Sequence, residues 1–126
     1  MATTRSQLAA LTLLPLCTAL TGHVYAPSSP RSYEASPDIY HVISQNDQFK
    51  VILATWKPGQ KDAPHSHPAG AVYFVDDCSL RAHAPDGSSR LLFTKSGSGT
   101  VQAAVLGHVI ENAGSRDCRV VMFEPS

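Results

Sequence analysis

From Ile39 onward the chain is never far from a turn signal, and this leaves no room for a helix of ordinary length. Gln45-Asn46-Asp47, Pro58-Gly59, Pro68-Ala69-Gly70, Asp76-Asp77, Pro85-Asp86-Gly87, Ser96-Gly-Ser-Gly-Thr100 and Asn112-Ala113-Gly114 punctuate it. Proline presets φ for the first corner of a turn, and glycine takes positive φ without steric cost. Between the breaks lie short β-branched or apolar runs at 39–43, 50–56, 71–75, 79–83, 90–94, 101–105, 108–112 and 119–124. None has a helical period. Such runs predict an all-β domain, an antiparallel barrel or sandwich with essentially no helix after residue 30.

A chain of 126 residues allows one such domain. Hydrophobic content of 43% and charged content of 16% are enough to bury a core. The formal net charge is +0 and no stretch is strongly basic, which excludes nucleic acid as a partner.

The first 26 residues differ from the rest. No charged side chain occurs between Arg5 and Arg31. Leu8 to Leu20 is an apolar run of secretory length, too short to span a bilayer and interrupted by Pro15, and Val24-Tyr25-Ala26 offers small residues for cleavage. The expected organisation is a signal peptide over 1–26, an extended Pro/Ser-rich lead-in over 27–38 and a folded domain over 39–126. The product is expected to be exported, periplasmic or secreted, with no membrane attachment after processing. A small β domain has limited core, and a lead-in of this kind adds an edge strand or crosses to a second subunit, so a homodimer is expected. Cleavage would leave Cys78 and Cys118. An oxidising compartment permits a bridge, but two small buried thiols, unpaired, are the leading expectation.

The chemistry concentrates in Gly59-Gln-Lys-Asp-Ala-Pro-His65-Ser-His67. A strand has a side-chain period of two, so both imidazoles point to one face and make half of a metal site. A third histidine, His108, follows in Gly107-His108-Val109-Ile110-Glu111-Asn112.

These residues resemble the two motifs of the cupins. The first runs Gly, five residues, His-x-His, three or four residues, Glu, and ends on Gly; Gly59, His65 and His67 match it. The second runs Gly, five residues, Pro-x-Gly, two residues, His, three residues, Asn; Gly97, His108 and Asn112 match it. The glutamate is missing, with Ala71 or Val72 in its place, and Cys78 or Ser79 replaces the closing glycine. Ala103 and Val105 replace Pro and Gly of the second motif, and Gly107 is expected to supply the lost freedom. The resemblance covers Val51 to Glu124. It implies an antiparallel cupin barrel, a double-stranded β-helix or jelly roll. It also implies a divalent metal (Fe, Mn, Ni, Cu or Zn) held by His65, His67 and His108, whose nitrogens should converge to roughly 3–3.5 Å.

Lacking the glutamate, a divalent site would keep two positive charges and favour an anionic, chelating small-molecule ligand. Three-histidine cupin dioxygenases are similar at this level. Asn112 either orients the loop or a ligand or forms the turn before Ala113-Gly114. Tyr73 lines the pocket or simply packs. His41 and His83 have no motif support and are read as surface or edge residues; Glu111 falls on the face opposite His108. Three functions follow: an oxygenase acting on a small anionic or enolisable compound, a non-catalytic metal or small-ligand binding module, and a sugar isomerase or epimerase. The third ranks last, because an isomerase needs a positioned acid/base pair and no carboxylate stands beside the histidines in the sequence.

Overall fold

A computed structural model describes residues 29–126, and the signal peptide expected over 1–26 lies outside them. Nine strands are present among these residues. They are β1 (Tyr40–Gln45), β2 (Phe49–Trp56), β3 (His65–His67), β4 (Gly70–Phe74), β5 (Cys78–His83), β6 (Ser89–Thr94), β7 (Gly99–Gln102), β8 (Val105–Asn112) and β9 (Cys118–Pro125). Each expected run appears, its ends moved by a residue or a few. All paired strands are antiparallel and form two sheets, ordered β1-β2-β9-β4-β7 and β3-β8-β5-β6.

The core lies between the sheets. Ile52, Trp56, Val120 and Met122 come from the first, Leu80 and Ile110 from the second. Alternation decides who enters: on β9 Cys118, Val120, Met122 and Glu124 are buried, while Arg119 and Phe123 face out. Both motif glycines hold turns that need left-handed backbone, Gly59 at φ 75 and Gly97 at φ 79.

Three expectations need correction. The lead-in is not extended throughout, for it contains a one-turn helix, α1 (Ser32–Ala35). The Arg31 N–H donates to the Glu34 carboxylate at 3.1 Å, which holds the start of that turn, and buried Ser32 anchors it. Second, Cys78 and Cys118 are bonded, with Cα atoms 5.6 Å apart. They are separated by 40 residues, and only sheet-on-sheet packing brings β5 against β9. Third, Gly107 does not take positive φ. It sits in a strand where its missing side chain leaves room for Ser29 Oγ, 3.0 Å from where a Cβ would stand.

The lead-in straps the domain from outside. Ser66 donates from its backbone N–H to the Pro30 carbonyl at 2.8 Å and from Oγ to the Ser29 carbonyl at 2.7 Å. The segment thus clasps β3, the strand bearing two of the histidines. Among the described residues no helix is long and apolar enough to cross a membrane.

Candidate metal centre

Backbone pairing sets His65 of β3 directly opposite His108 of β8. His67 pairs with Val105, so β8 carries one extra residue between these two points. That bulge, around Leu106 and Gly107, re-aims the strand just after the positions of the second motif's proline and glycine. His65 Nε2 lies 2.9 Å from His67 Nε2 and 3.0 Å from His108 Nε2. The three ligating atoms fall within 4.8 Å of one another, and no carboxylate oxygen joins the group. Two nitrogens at about 2.0–2.1 Å from one ion stand about 2.9 Å apart when they subtend a right angle. The measured separations fit a common ion.

Hydrogen bonds behind the rings show why these nitrogens want a cation between them. His65 Nδ1–H donates to the Ala63 carbonyl at 2.9 Å, and His67 Nδ1–H donates to Glu124 Oε1 at 2.6 Å. With both protons held on Nδ1, each Nε2 presents a lone pair. Two lone pairs face each other and cannot hydrogen-bond. A third joins them from Tyr40, whose Oη is 3.2 Å from His65 Nε2. Its proton goes to Asp62 Oδ2 at 2.6 Å, the shorter and charge-assisted bond.

Electrostatics keep the His65 and His108 rings neutral. Burial lowers the pKa of His65. Burial first, then the neighbouring histidines and Arg90, lowers His108 to about 3. Burial, with Asp62 beside it, raises the Tyr40 phenol well above its ordinary value, so it retains its proton. All three effects follow from the cost of placing charge in a dry interior or beside like charge.

Acids do stand beside the histidines, contrary to the sequence expectation. Glu124 is buried behind His67 and lies 4.0 Å from the Arg31 guanidinium. Asp62 is also buried; its oxygens accept from Tyr40, from Trp56 Nε1 at 3.2 Å and from the Ile110 N–H at 2.7 Å. Neither lines the adjoining cavity. They offset the charge of a divalent ion from behind the rings, with Glu124 shared with Arg31, so the expected surplus of two positive charges is reduced.

The cavity has a volume of about 580 Å³, and residues of the edge strands β6 and β7 are among its lining. Its walls are apolar, with Val72, Phe74, Leu92 and Met122 among them; His67, His108 and Tyr40 form one end, and Arg90 is the one cationic side chain. Tyr73 points to the other face of β4 and is 45% exposed, while Val72 and Phe74 line the cavity. Asn112 is buried and serves the turn. Its amide donates to the Trp56 and Arg116 carbonyls, and its Oδ1 accepts from Gly114 N–H. His41 is exposed on β1, and His83 pairs with Glu111 at 2.8 Å away from the centre.

Sequence reasoning missed Tyr40, Asp62, Glu124 and Arg90. Glu124 carried a readable signal, since it shares strand parity with Val120 and Met122. Arg90 likewise shares parity with Leu92. Asp62 lies in an irregular segment and Tyr40 at a strand start, and neither has a periodic signal.

No family model and no curated protein sequence matches this chain. Solved structures do. A cupin domain from Bordetella pertussis Tohama I superposes with a TM-score of 0.65 at 20% identity, covering 78% of this chain and 96% of that one. A double-stranded β-helix protein from Klebsiella pneumoniae gives 0.53 at 21% identity over 69% and 76% of the two chains. The polyketide cyclase RemF from Streptomyces resistomycificus gives 0.53 at 18% identity over 68% and 63%. This chain therefore has the cupin fold, with three histidines clustered on β3 and β8 and no acid in the place of the first motif's glutamate.

Proposed function

We propose that this protein is a metal-dependent enzyme. It holds one divalent transition ion on His65, His67 and His108 and acts as an oxygenase on a small compound seated in the adjoining cavity. The observation that supports this most is the facing of the His65 and His67 lone pairs at 2.9 Å, their protons committed elsewhere, with His108 Nε2 converging on them at 3.0 Å from His65. When bound, the ion supplies Lewis acidity and, in a redox-active metal, a route to dioxygen. The chain's own residues do the rest. Glu124 and Ala63 fix two rings, Tyr40 offers an oxygen lone pair at the same end of the cavity, and Phe74, Leu92 and Met122 exclude water.

Metal analysis of purified protein should return one ion per chain, and oxygen uptake should appear with some member of a panel of small acids and diketones. The variant with all three histidines changed to Ala should lose both. If it binds metal as the parent does, this reading falls.

Export and dimerisation belong to the same proposal. The Cys78–Cys118 bond supports an oxidising destination. The outer face of the five-stranded sheet supports a second copy as partner. There Val101, Ala71, Phe123 and Val51 lie in one cross-strand row, with Tyr73 beside them. An N-terminus that retains Leu8–Leu20 in mature protein would exclude export.

A further inference from the structure

Arg90 occupies an inward position on edge strand β6, in one cross-strand row with Ala82 and Ile110. All three line the cavity. Two residues along β6, Leu92 packs against the core, so parity turns Arg90 the same way, with its end reaching the mouth. Among the described residues no carboxylate pairs with it, and of the cations without such a partner it is the one that lines the cavity. No carboxylate lines the cavity either. A divalent ion at the histidines would be partly offset by buried Asp62 and by Glu124, which Arg31 shares. Of the residues lining the cavity, Arg90 is thus the one cation, and no acid there balances it.

We propose that Arg90 is the specificity-determining residue of this cavity and that its ligand is bifunctional. One end is a carboxylate held by the Arg90 guanidinium. The other is a carbonyl or enol oxygen at the three histidines, and an apolar segment joins them. The strand register supports the span: the Cα atoms of His108 and Arg90 lie two strands and two residues apart, roughly 12 Å. Side chains reaching inward from both leave a gap of a few carbons, with Ala82 and Ile110 on the strands between them. This inference rests on the metal reading above.

The test uses redox-silent zinc and two probes that differ only at the far end, the diketone acid succinylacetone and uncharged heptane-2,4-dione. Trp56, the sole tryptophan, lines the cavity and reports binding by its fluorescence. Zinc-loaded protein should bind the acid about tenfold more tightly, as a charge-assisted contact at a partly solvated site implies. Arg90→Met, at an exposed position, should erase that ratio and leave affinity for the uncharged diketone unchanged. Equal binding of the two probes by the parent, or a ratio that survives in Arg90→Met, overturns the proposal. A ratio that persists unchanged without zinc and is lost in Arg90→Met supports Arg90 while removing the metal reading.

Discussion

Glu124→Gln should weaken zinc binding by about 10- to 100-fold without harming the metal-free fold. Glu124 is 1% exposed, and its 2.6 Å bond to His67 Nδ1 is the strongest contact that ring makes behind the centre. A carboxylate there raises the basicity of the ligating nitrogen and fixes the ring, and losing such a partner typically costs that factor. In free energy this is about 1.4–2.7 kcal/mol. Glutamine keeps an acceptor for Nδ1–H but removes the charge. In the absence of metal the same charge is a burden, because it is buried and its Arg31 counterpart is 4.0 Å away. The two readouts should therefore move in opposite directions, with weaker zinc binding and unchanged or higher stability in chelator. Glu124→Ala should lose more on both, since an unsatisfied Nδ1–H costs about 1–3 kcal/mol. Zinc competition against a chelating dye gives the affinity, and denaturant unfolding in excess chelator gives the stability. If Glu124→Gln binds zinc within about threefold of the parent, the carboxylate does not tune the site in the way argued.

Removing the bridge with Cys78→Ala and Cys118→Ala opens a loop whose ends are 40 residues apart, and chain entropy puts the loss at about 4 kcal/mol. Thermal unfolding should fall by roughly 15–30 °C, and a loss under about 1 kcal/mol would mean that packing alone holds β5 to β9. At Asp76 the Arg119 guanidinium, bonded at 2.9 and 3.0 Å, holds the carboxyl below its ordinary range. A depressed folded value gives stability that is present above the unfolded pKa, about 3.9, and is lost as pH falls through the folded one. Asp76→Asn should thus flatten the acid limb below about pH 4 in denaturant midpoints, and an unchanged limb would discount the pair. Phe123→Lys, in the centre of the exposed cross-strand row, should turn a dimer into a monomer by sedimentation while leaving zinc affinity intact; a parent already monomeric at high micromolar concentration would remove the dimer.

Strands and the three histidines were legible because both rest on local rules. Turn residues at fixed offsets bound the strands, and a period of two puts His65 and His67 on one face. The rest depends on how distant segments pack. The Cys78–Cys118 bond needs two sheets brought together, and nothing in either local sequence says so. Asp62 carries no local signal, yet it accepts bonds from Tyr40, Trp56 and Ile110. Asn112 was ambiguous in sequence because Asn both forms turns and binds ligands; its bonds to Trp56, Arg116 and Gly114 assign it to the turn. Glu124 is the instructive miss. Its parity with Val120 and Met122 was in plain view, and an acid in an otherwise apolar inward row has to find a buried partner.

The placement of the acids bears on what the centre can hold. A glutamate within the ligand set would cancel one charge of a divalent ion and also occupy a coordination position. Glu124 and Asp62 offset charge from behind the rings and occupy none. Such a centre has little electrostatic reason to demand an anion and has room for more than one neutral or weakly charged oxygen donor. Selectivity then shifts outward along the cavity, where apolar walls select for size and Arg90 supplies the unmatched charge. An acid moved into the cavity, as in Val72→Glu, would therefore act less on metal retention than on the ligand. It would compete for the same end of the cavity and give Arg90 an internal partner, and both effects should weaken binding of a carboxylated probe more than of its uncharged analogue.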